Sequence, residues 1–223
     1  MRLLVSPEAH ALGLRHSRAW RLTADAPLLG GEGLSAAQVA AAYDADAPLP
    51  QGYRKLFAGL GYPDVVPAGE RLRTLLATRG WRSHGPVVDA VSVATLRHGA
   101  GIGLHRLLPA DAGRDLVVGR AKGGERIVPA FSTRSRPIPA GDLIYGGSGP
   151  GADPEPFAWL GRRDCDSAER QLTDDDHQGL LVVLGCPDEE AGHTDAIGAT
   201  VAEVLRTVRP DITLTPLASV TEG

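Results

Sequence analysis

The stretch that most constrains the fold lies at the middle of the chain, where a long apolar run is bounded by proline and glycine. Residues 86–98 hold four valines and a threonine, which favour strand locally, but the run exceeds the usual strand length. Pro86 suits the first turn of a helix, and Gly99 suits the left-handed residue that ends one. The sequence therefore predicts a buried helix over 86–98. Gly101 and Gly103, just beyond it, predict a close approach of the backbone to another segment or to a ligand.

Composition places the chain among ordinary soluble proteins with one sizeable core. It has 223 residues, 43% of them hydrophobic, which suits one domain or two closely packed units. The apolar run at the N-terminus is only three residues long, too short for a signal peptide or a membrane span, so we expect a cytoplasmic protein. Cys165 and Cys186 lack the spacing of a metal or disulfide motif and are expected to be free thiols. We expect no metal and no cofactor.

Charge is divided unevenly along the chain. Residues 1–163 hold 20 Lys/Arg against 14 Asp/Glu, whereas residues 164–223 hold 3 against 13. The basic residues are nearly all arginine, which suits bidentate contacts to phosphate but is also common as a simple compositional bias. The overall charge of −4 argues against an extended nucleic-acid footprint and for contact confined to one patch.

Further helices and short strands are predicted on both sides of the central helix. Ser35 and Gln38 form a capping box that opens a helix to about residue 45. Helices are also expected over 52–60 and 67–78, and apolar residues at helical spacing predict a last helix over 197–208. The segments 115–121 and 126–131, joined by a turn with two glycines, predict a β-hairpin. The other predicted strands cover 3–5, 19–22, 143–145, 157–160, 180–184 and 212–216.

Several short motifs follow one another in an order that resembles a known domain. In the middle of the chain they are Gly80-Trp81-Arg82-Ser83, Val87-Val88-Asp89, Leu96-Arg97-His98-Gly99 and Ala121-Lys122-Gly123-Gly124-Glu125. In this order they resemble the B3/B4 domain of the phenylalanyl-tRNA synthetase beta chain, which is the editing domain of that enzyme. Free-standing B3/B4 proteins are similar at further positions, namely Gly52-Tyr53-Arg54-Lys55, Tyr145, Arg163-Asp164-Cys165-Asp166 and Thr173-Asp174-Asp175.

The resemblance implies an α+β fold with a β-sandwich-like core decorated with helices. It covers about residues 52–185 of a single domain over 1–223, with 1–51 as an N-terminal elaboration and 186–223 as a C-terminal helix and strand. It also implies hydrolysis of the ester that joins a wrong amino acid to the 3′ adenosine of tRNA. Such a second site is needed because a synthesis pocket rejects near-isosteres poorly. The reaction requires a positioned water and hydrogen-bond donors for the carbonyl oxygen rather than a strong nucleophile.

Site residues follow from the resemblance position by position. The family's aspartate on the central helix is kept here as Asp89, and its asparagine is replaced by Ser92. Its histidine beyond the helix is replaced by Gly103, with His105 two residues further on, and its arginine before Ala121 has Arg120 beside the matching position. The acidic residue that follows Tyr145 in the family is absent. The expected substrate-binding set is Asp89, Ser92, Ile102, Gly103, Leu104, Arg120 and Cys165.

The acidic segment Asp164-Cys165-Asp166 is the best-preserved polar cluster. Alternate residues on a strand share a face, so Asp164 and Asp166 are expected to point together into a pocket and to shift each other's pKa. They could then hold a substrate ammonium group or a water. The alternative is a simple acidic strand edge. With His105, the two aspartates form the predicted catalytic set, whereas Cys165 is expected to point away from them.

Three functions are compatible with these residues. The first is a trans-acting aminoacyl-tRNA deacylase whose partner is the aminoacylated 3′ end of tRNA, with no DNA or membrane partner. Its pocket is expected between the central helix, residues 101–105 and the Asp164 strand. The second is a non-catalytic B3/B4 module that binds tRNA or another RNA. The third is a pocket adapted to a free amino acid or a small ester.

Overall fold

The structure, a computed structural model, describes residues 1–149 and 151–221 of the chain. The fold is α+β, as the sequence predicts. The helices in the described residues are α1 (Pro7–Ala11), α2 (Ala36–Ala42), α3 (Gly52–Gly59), α4 (Ala68–Arg79), α5 (Pro86–His98) and α6 (His193–Val208). The strands there are β1 (Leu3–Val5), β2 (Arg18–Thr23), β3 (Ile102–Arg106), β4 (Asp115–Arg120), β5 (Arg126–Ile127), β6 (Arg136–Pro137), β7 (Leu143–Ser148), β8 (Glu155–Leu160), β9 (Asp164–Asp166), β10 (Gln178–Val183), β11 (Thr213–Pro216) and β12 (Ser219–Thr221).

The strands form two main sheets and one short ribbon. The larger sheet has the order β12-β1-β4-β7-β8-β9, in which β1 is parallel to β12 and to β4 while the other neighbours are antiparallel. The second sheet is antiparallel, with the order β11-β2-β10-β3, and β5 pairs with β6 alone. Strands β9 and β3 each end a sheet, with β8 as the neighbour of β9 and β10 as the neighbour of β3.

The main hydrophobic core lies between the two sheets. Leu116 and Val118 of β4 belong to the same buried cluster as Leu180 and Val182 of β10. The imidazole of His105 on β3 crosses the interface and packs against the rings of residues in β7 and β8. Helices α5 and α6 pack against each other and against strands of the second sheet. The result is a two-sheet core with α5 and α6 against the second sheet and α1 against β4 of the larger one, which agrees with the expected sandwich-like arrangement.

The central helix is confirmed at both ends. Helix α5 spans Pro86–His98, with Pro86 in its first turn, and Gly99 closes it in the left-handed conformation at φ 68°. Eight of its thirteen residues are buried, so tertiary packing of the valines outweighs their preference for strand. The capping box of Ser35 and Gln38 is also present, although its helix ends at Ala42 rather than near residue 45.

The predicted β-hairpin over 115–131 is wrong. Strand β4 pairs with β1 on one side and with β7 on the other, and β5 pairs with β6 instead. Both edges of β4 are occupied because its inward residues, Leu116 and Val118, are completely buried in the sandwich. The turn itself has the expected positive φ angles at Gly123 and Gly124. The sequence also did not reveal α1, β12 or the parallel pairing of β1.

None of the helices in residues 1–149 and 151–221 combines the length and the apolar character that crossing a bilayer requires. Both cysteines are free thiols, as expected, with Cys186 buried and Cys165 partly buried.

Candidate functional site

Two tyrosines and two glycines shape the site at the start of β3. The hydroxyl of Tyr53, on α3, donates a hydrogen bond to the carbonyl oxygen of Gly101 at 3.1 Å. Tyr145, on β7, projects its hydroxyl against Gly103. A Cβ at position 103 would lie 1.9 Å from the Tyr145 oxygen, so only glycine leaves room for the phenol. The close backbone approach predicted from the glycine spacing is therefore an approach to tyrosine side chains.

Asp164 and Asp166 lie on one face of the edge strand β9. Asp166 pairs in register with Ala158, which in turn pairs with Tyr145, so these residues form one cross-strand row on the inner face of the sheet. Asp164 lies in the next row, beside Leu160. The shared face is the arrangement that the alternation of the segment predicts.

The side chain of Cys165 packs on the opposite face of the sheet. There it joins a small cluster that contains Ile144 and Trp159. Burial, followed by the charges of the two neighbouring aspartates, raises the pKa of the Cys165 thiol to about 11. The thiol is therefore protonated at neutral pH, and this residue borders the site mainly through its position between the two acids.

These residues surround a small cavity of about 190 Å³. The apolar part of its wall includes Ala68, Ile102, Leu160, Val182 and Leu184, and the polar part includes Tyr53, Arg71, Tyr145, Asp164 and Asp166. Sites that enclose drug-sized ligands are larger, at roughly 300–1,000 Å³. The cavity therefore accommodates a group of amino-acid size, whereas a whole aminoacyl-adenosine would extend beyond it.

The electrostatics of the cavity disfavour two carboxylates side by side. Burial raises the pKa of Asp166 to about 7, and the charge of Asp164 adds to the rise. Burial also raises the pKa of Asp164, while the Arg71 guanidinium, 2.8 Å from its carboxylate, opposes that rise. The Asp166 side chain is enclosed by protein on most sides, yet 39% of its surface remains accessible. Asp166 can thus exchange a proton near neutral pH.

His105 lies behind the cavity wall rather than in it. Its side chain is completely buried, and its Nε2 atom lies 2.7 Å from the Tyr145 hydroxyl and 4.0 Å from an Asp166 oxygen. Burial, followed by the positive charge of Arg170, lowers the pKa of His105 to about 3. The imidazole is neutral at physiological pH, so it contacts the site only through Tyr145. This corrects the expectation that His105 itself meets a substrate.

The tautomer of His105 decides what the Tyr145 hydroxyl can do. The Nδ1 atom has no hydrogen-bond partner within the described residues. Because a buried N–H without an acceptor is rarer than an unused lone pair, we assign the proton to Nε2, which then donates to the Tyr145 oxygen. That assignment leaves the phenolic O–H of Tyr145 free to donate toward the cavity.

The central helix does not line this cavity. Its end at Gly99 packs against α4, where a Cβ on Gly69 would lie 2.7 Å from the Gly99 Cα atom. Helices α3 and α4 therefore occupy the place expected for α5, and they contribute Tyr53 and Arg71 to the wall. The expected pocket between the central helix and the acidic strand is corrected in this respect.

Asp89, on α5, is a structural residue. It is fully buried, and its carboxylate accepts hydrogen bonds from the backbone N–H groups of Leu34 and His84 and from the Ser83 hydroxyl. These three bonds consume most of its acceptor capacity and fasten the loop before α2 to the start of α5. Ser92 lies on the same helix and is likewise outside the cavity.

Leu104 and Arg120 also lie outside the cavity. Leu104 lies two residues beyond Ile102 on β3 and is not among the residues that line the cavity. Arg120 lies in a larger cleft of about 740 Å³ on the outer side of β1 and β4. That cleft is lined by surface ion pairs such as Arg2 with Asp115, whose charges already compensate each other. We therefore place the candidate site at the smaller cavity.

Three polar wall residues were not in the set predicted from sequence. Arg71 belongs to a charged helix face, a pattern that usually indicates simple solvation, and Tyr53 and Tyr145 were noted only as positions that carry the resemblance. The signal that could have indicated Tyr145 is the glycine at position 103, since a backbone position without a side chain on a buried strand implies a bulky neighbour.

The fold is similar to that of an N-terminal fragment of the phenylalanyl-tRNA synthetase beta-subunit from Pyrococcus horikoshii, with a TM-score of 0.51 and 8% sequence identity. The match covers 99% of this chain and 52% of that one, so this chain spans about half the length of the fragment. At such low identity the similarity concerns the fold alone. No protein-family model matches the chain, and no curated protein matches it.

Proposed function

We propose that the chain is an aminoacyl-tRNA deacylase that hydrolyses the ester of mischarged tRNA in the cavity beside β9. The observation that carries the proposal is the pair Asp164 and Asp166, which face an amino-acid-sized cavity that also receives a tyrosine hydroxyl. The fold similarity to a tRNA synthetase fragment adds support. The aminoacyl group enters the cavity, and the terminal adenosine remains at its mouth because the enclosed volume is too small for both.

The acidic pair first recognises the substrate. An α-ammonium group carries the charge that two neighbouring carboxyl groups attract, and its arrival favours the ionised form of Asp166. Asp164 is held by Arg71 and so is the more strongly fixed of the two. Because Tyr53 and the aliphatic wall leave little space, side-chain size limits which amino acids fit.

Asp166 then acts as the general base in hydrolysis. Its carboxylate takes a proton from a water whose oxygen forms a bond to the ester carbonyl carbon. The negative charge that develops on the carbonyl oxygen is stabilised by donors at the wall, for which Tyr145 and Arg71 are the candidates. When the carbon–oxygen bond to the ribose breaks, the leaving 3′-oxygen receives the proton from Asp166. A base with a pKa near 7 is well matched to this exchange.

The test is release of labelled amino acid from a panel of mischarged tRNAs. We expect hydrolysis of at least one of them, a rate that rises with pH through about 7, and a fall of about 100-fold or more for Asp166→Asn. Asp64→Asn, at an exposed loop aspartate, controls for loss of one negative charge. Absence of hydrolysis above background across the panel would exclude the proposal.

The small volume of the cavity favours a second candidate, a site for a free amino acid or a small amino-acid ester. This candidate predicts that amino-acid methyl esters are hydrolysed, or free amino acids bound, with the same dependence on Asp166 and without RNA. Hydrolysis of tRNA esters far faster than of methyl esters would favour the first candidate. RNA binding without hydrolysis of either ester would instead indicate a non-catalytic RNA-binding module.

A further inference from the structure

Phe131 is an exposed aromatic residue that the fold does not use. Its side chain is 96% exposed, and its backbone is held at φ 61° in a turn closed by a hydrogen bond from Ser132 N–H to the Pro129 carbonyl oxygen at 3.0 Å. Glycine or asparagine is preferred at such a turn position, and a bulky residue there is strained. The ring therefore destabilises its turn and buries nothing. Strain of this kind that packing does not explain points to function.

The turn of Phe131 belongs to an arginine-rich arm. We use the name "arm" for residues 126–137, which comprise β5, the loop and β6, and which carry Arg126, Arg134 and Arg136. Arg136 also lines a cleft of about 310 Å³ together with Arg162, Arg163 and two prolines. Within the described residues these arginines form no ion pair, and only the Arg126 side chain donates hydrogen bonds, to Ser135. The guanidinium groups around the 310 Å³ cleft carry positive charge that no carboxylate of the described residues neutralises, so they can meet an external anion.

The arm is fastened directly to the acidic strand of the cavity. Ala130 N–H donates to the Asp166 carbonyl oxygen at 2.8 Å, and Ala168 N–H donates to the Val128 carbonyl oxygen at 2.7 Å. Since paired strands lie about 5 Å apart and successive Cα atoms 3.8 Å, the Cα atoms of Phe131 and Asp166 are within about 10 Å of each other. Ile127 of the arm packs with Trp159 and Cys165 on the face of the sheet opposite the cavity. An RNA strand whose end enters the cavity would therefore reach the arm by passing around the sheet edge at β9.

We propose that Phe131 stacks on an unpaired nucleotide of an RNA end whose terminal group enters the cavity, while arginines of the arm and the cleft contact its phosphates. This inference rests on the proposed function and says where its RNA partner binds. Single-stranded RNA is recognised by aromatic stacking on splayed bases together with cationic contacts to the backbone. The arm supplies both kinds of group side by side.

The experiment is fluorescence anisotropy of the full chain with a labelled single-stranded RNA of about ten nucleotides that carries no amino acid. We expect Phe131→Gly to raise the Kd about 5- to 150-fold, since the stacking free energy of one base corresponds to a change of this size. The variant should also have a higher Tm, because glycine relieves the strained turn. Phe131→Trp restores binding. The triple variant Arg136→Ala, Arg162→Ala, Arg163→Ala lowers the slope of log Kd against log salt by about 2. Arg206→Ala, an exposed arginine on α6, leaves binding unchanged.

Unchanged RNA affinity in Phe131→Gly would overturn the inference, as would a fall in its Tm, which would show that the ring stabilises the fold. Binding of wild-type protein to anionic phosphatidylserine vesicles in preference to the RNA would also overturn it, since an exposed aromatic among arginines suits a membrane surface too. RNA without an amino acid has no ester to hydrolyse, so this measurement does not depend on deacylation. Phe131-dependent binding without hydrolysis would remove the proposed function and leave the RNA site.

Discussion

Replacing Asp166 by asparagine should stabilise the protein at high pH and have little effect at low pH. The folded pKa of Asp166 is about 7, against an ordinary value of 3.8. A carboxyl with a raised folded pKa weakens the fold when it is ionised, so wild-type stability contains a term that is lost as pH rises from about 4 to about 7. The difference between the folded and the ordinary pKa corresponds to about 4 kcal/mol in the free energy of unfolding if solvent does not screen the carboxylate. Because 39% of the side chain is accessible, solvent screening reduces it to roughly 2 kcal/mol.

The assay is urea unfolding of wild type and Asp166→Asn at intervals from pH 4 to pH 8. The free energy of unfolding of the variant should equal that of wild type near pH 4 and exceed it by roughly 2 kcal/mol at pH 8. Asp64→Asn, at an exposed aspartate of the loop before α4, controls for the change in net charge. A difference between variant and wild type that is constant over this pH range, or that grows toward acid, would refute the reasoning.

Three further perturbations test the geometry around the cavity. Gly103→Ala places a methyl group 1.9 Å from the Tyr145 oxygen. Urea unfolding should show a free energy of unfolding lower by about 1–3 kcal/mol. The control Gly59→Ala, on an open helix surface, should not lower it. The contribution of His105 to stability should be lost as pH falls from 6.5 toward 3, because burial lowers its folded pKa to about 3 and the unfolded chain binds the proton more readily. Because wild type and His105→Gln share the Asp166 contribution, acid unfolding followed by circular dichroism should begin at a lower pH for His105→Gln. Asp89→Ala removes the acceptor of the buried Leu34 N–H and of the partly buried His84 N–H and should cost about 2–3 kcal/mol in urea unfolding. Rates in the deacylation assay, measured well below the Tm, should stay close to wild type.

Part of the candidate site could be predicted from local sequence, and the correct predictions are those that rest on strand alternation. Asp164 and Asp166 were expected on one face with Cys165 on the other, and β9 has that arrangement. The site residues assigned by position on the central helix did not meet the cavity. Asp89 and Ser92 lie on a helix whose packing partners are α2, α4 and α6, and a residue's position along a helix does not reveal which of several neighbours it will face.

His105 illustrates a second limit on prediction from sequence. Alternation along β3 correctly groups His105 with Gly103, but it does not reveal whether that face meets solvent, a ligand or another sheet. In the fold it meets β7, where Tyr145 covers the imidazole and itself becomes the group that borders the cavity. The residue of this pair that borders the cavity is therefore a tyrosine 40 residues away from the histidine.

Local chemistry sets the boundaries of several segments, and those boundaries could be predicted from the chain alone. Proline and glycine fixed the ends of the central helix, a serine and a glutamine fixed the start of α2, and alternation fixed the common face of the two aspartates. Such features depend on backbone angles and hydrogen bonds within a few residues. Long-range packing, in contrast, sets β4 between β1 and β7 and brings Tyr53, Arg71 and Tyr145 around the acidic pair. These pairings join residues as much as 113 positions apart, and they are selected by burial of the shared core, which no local pattern encodes.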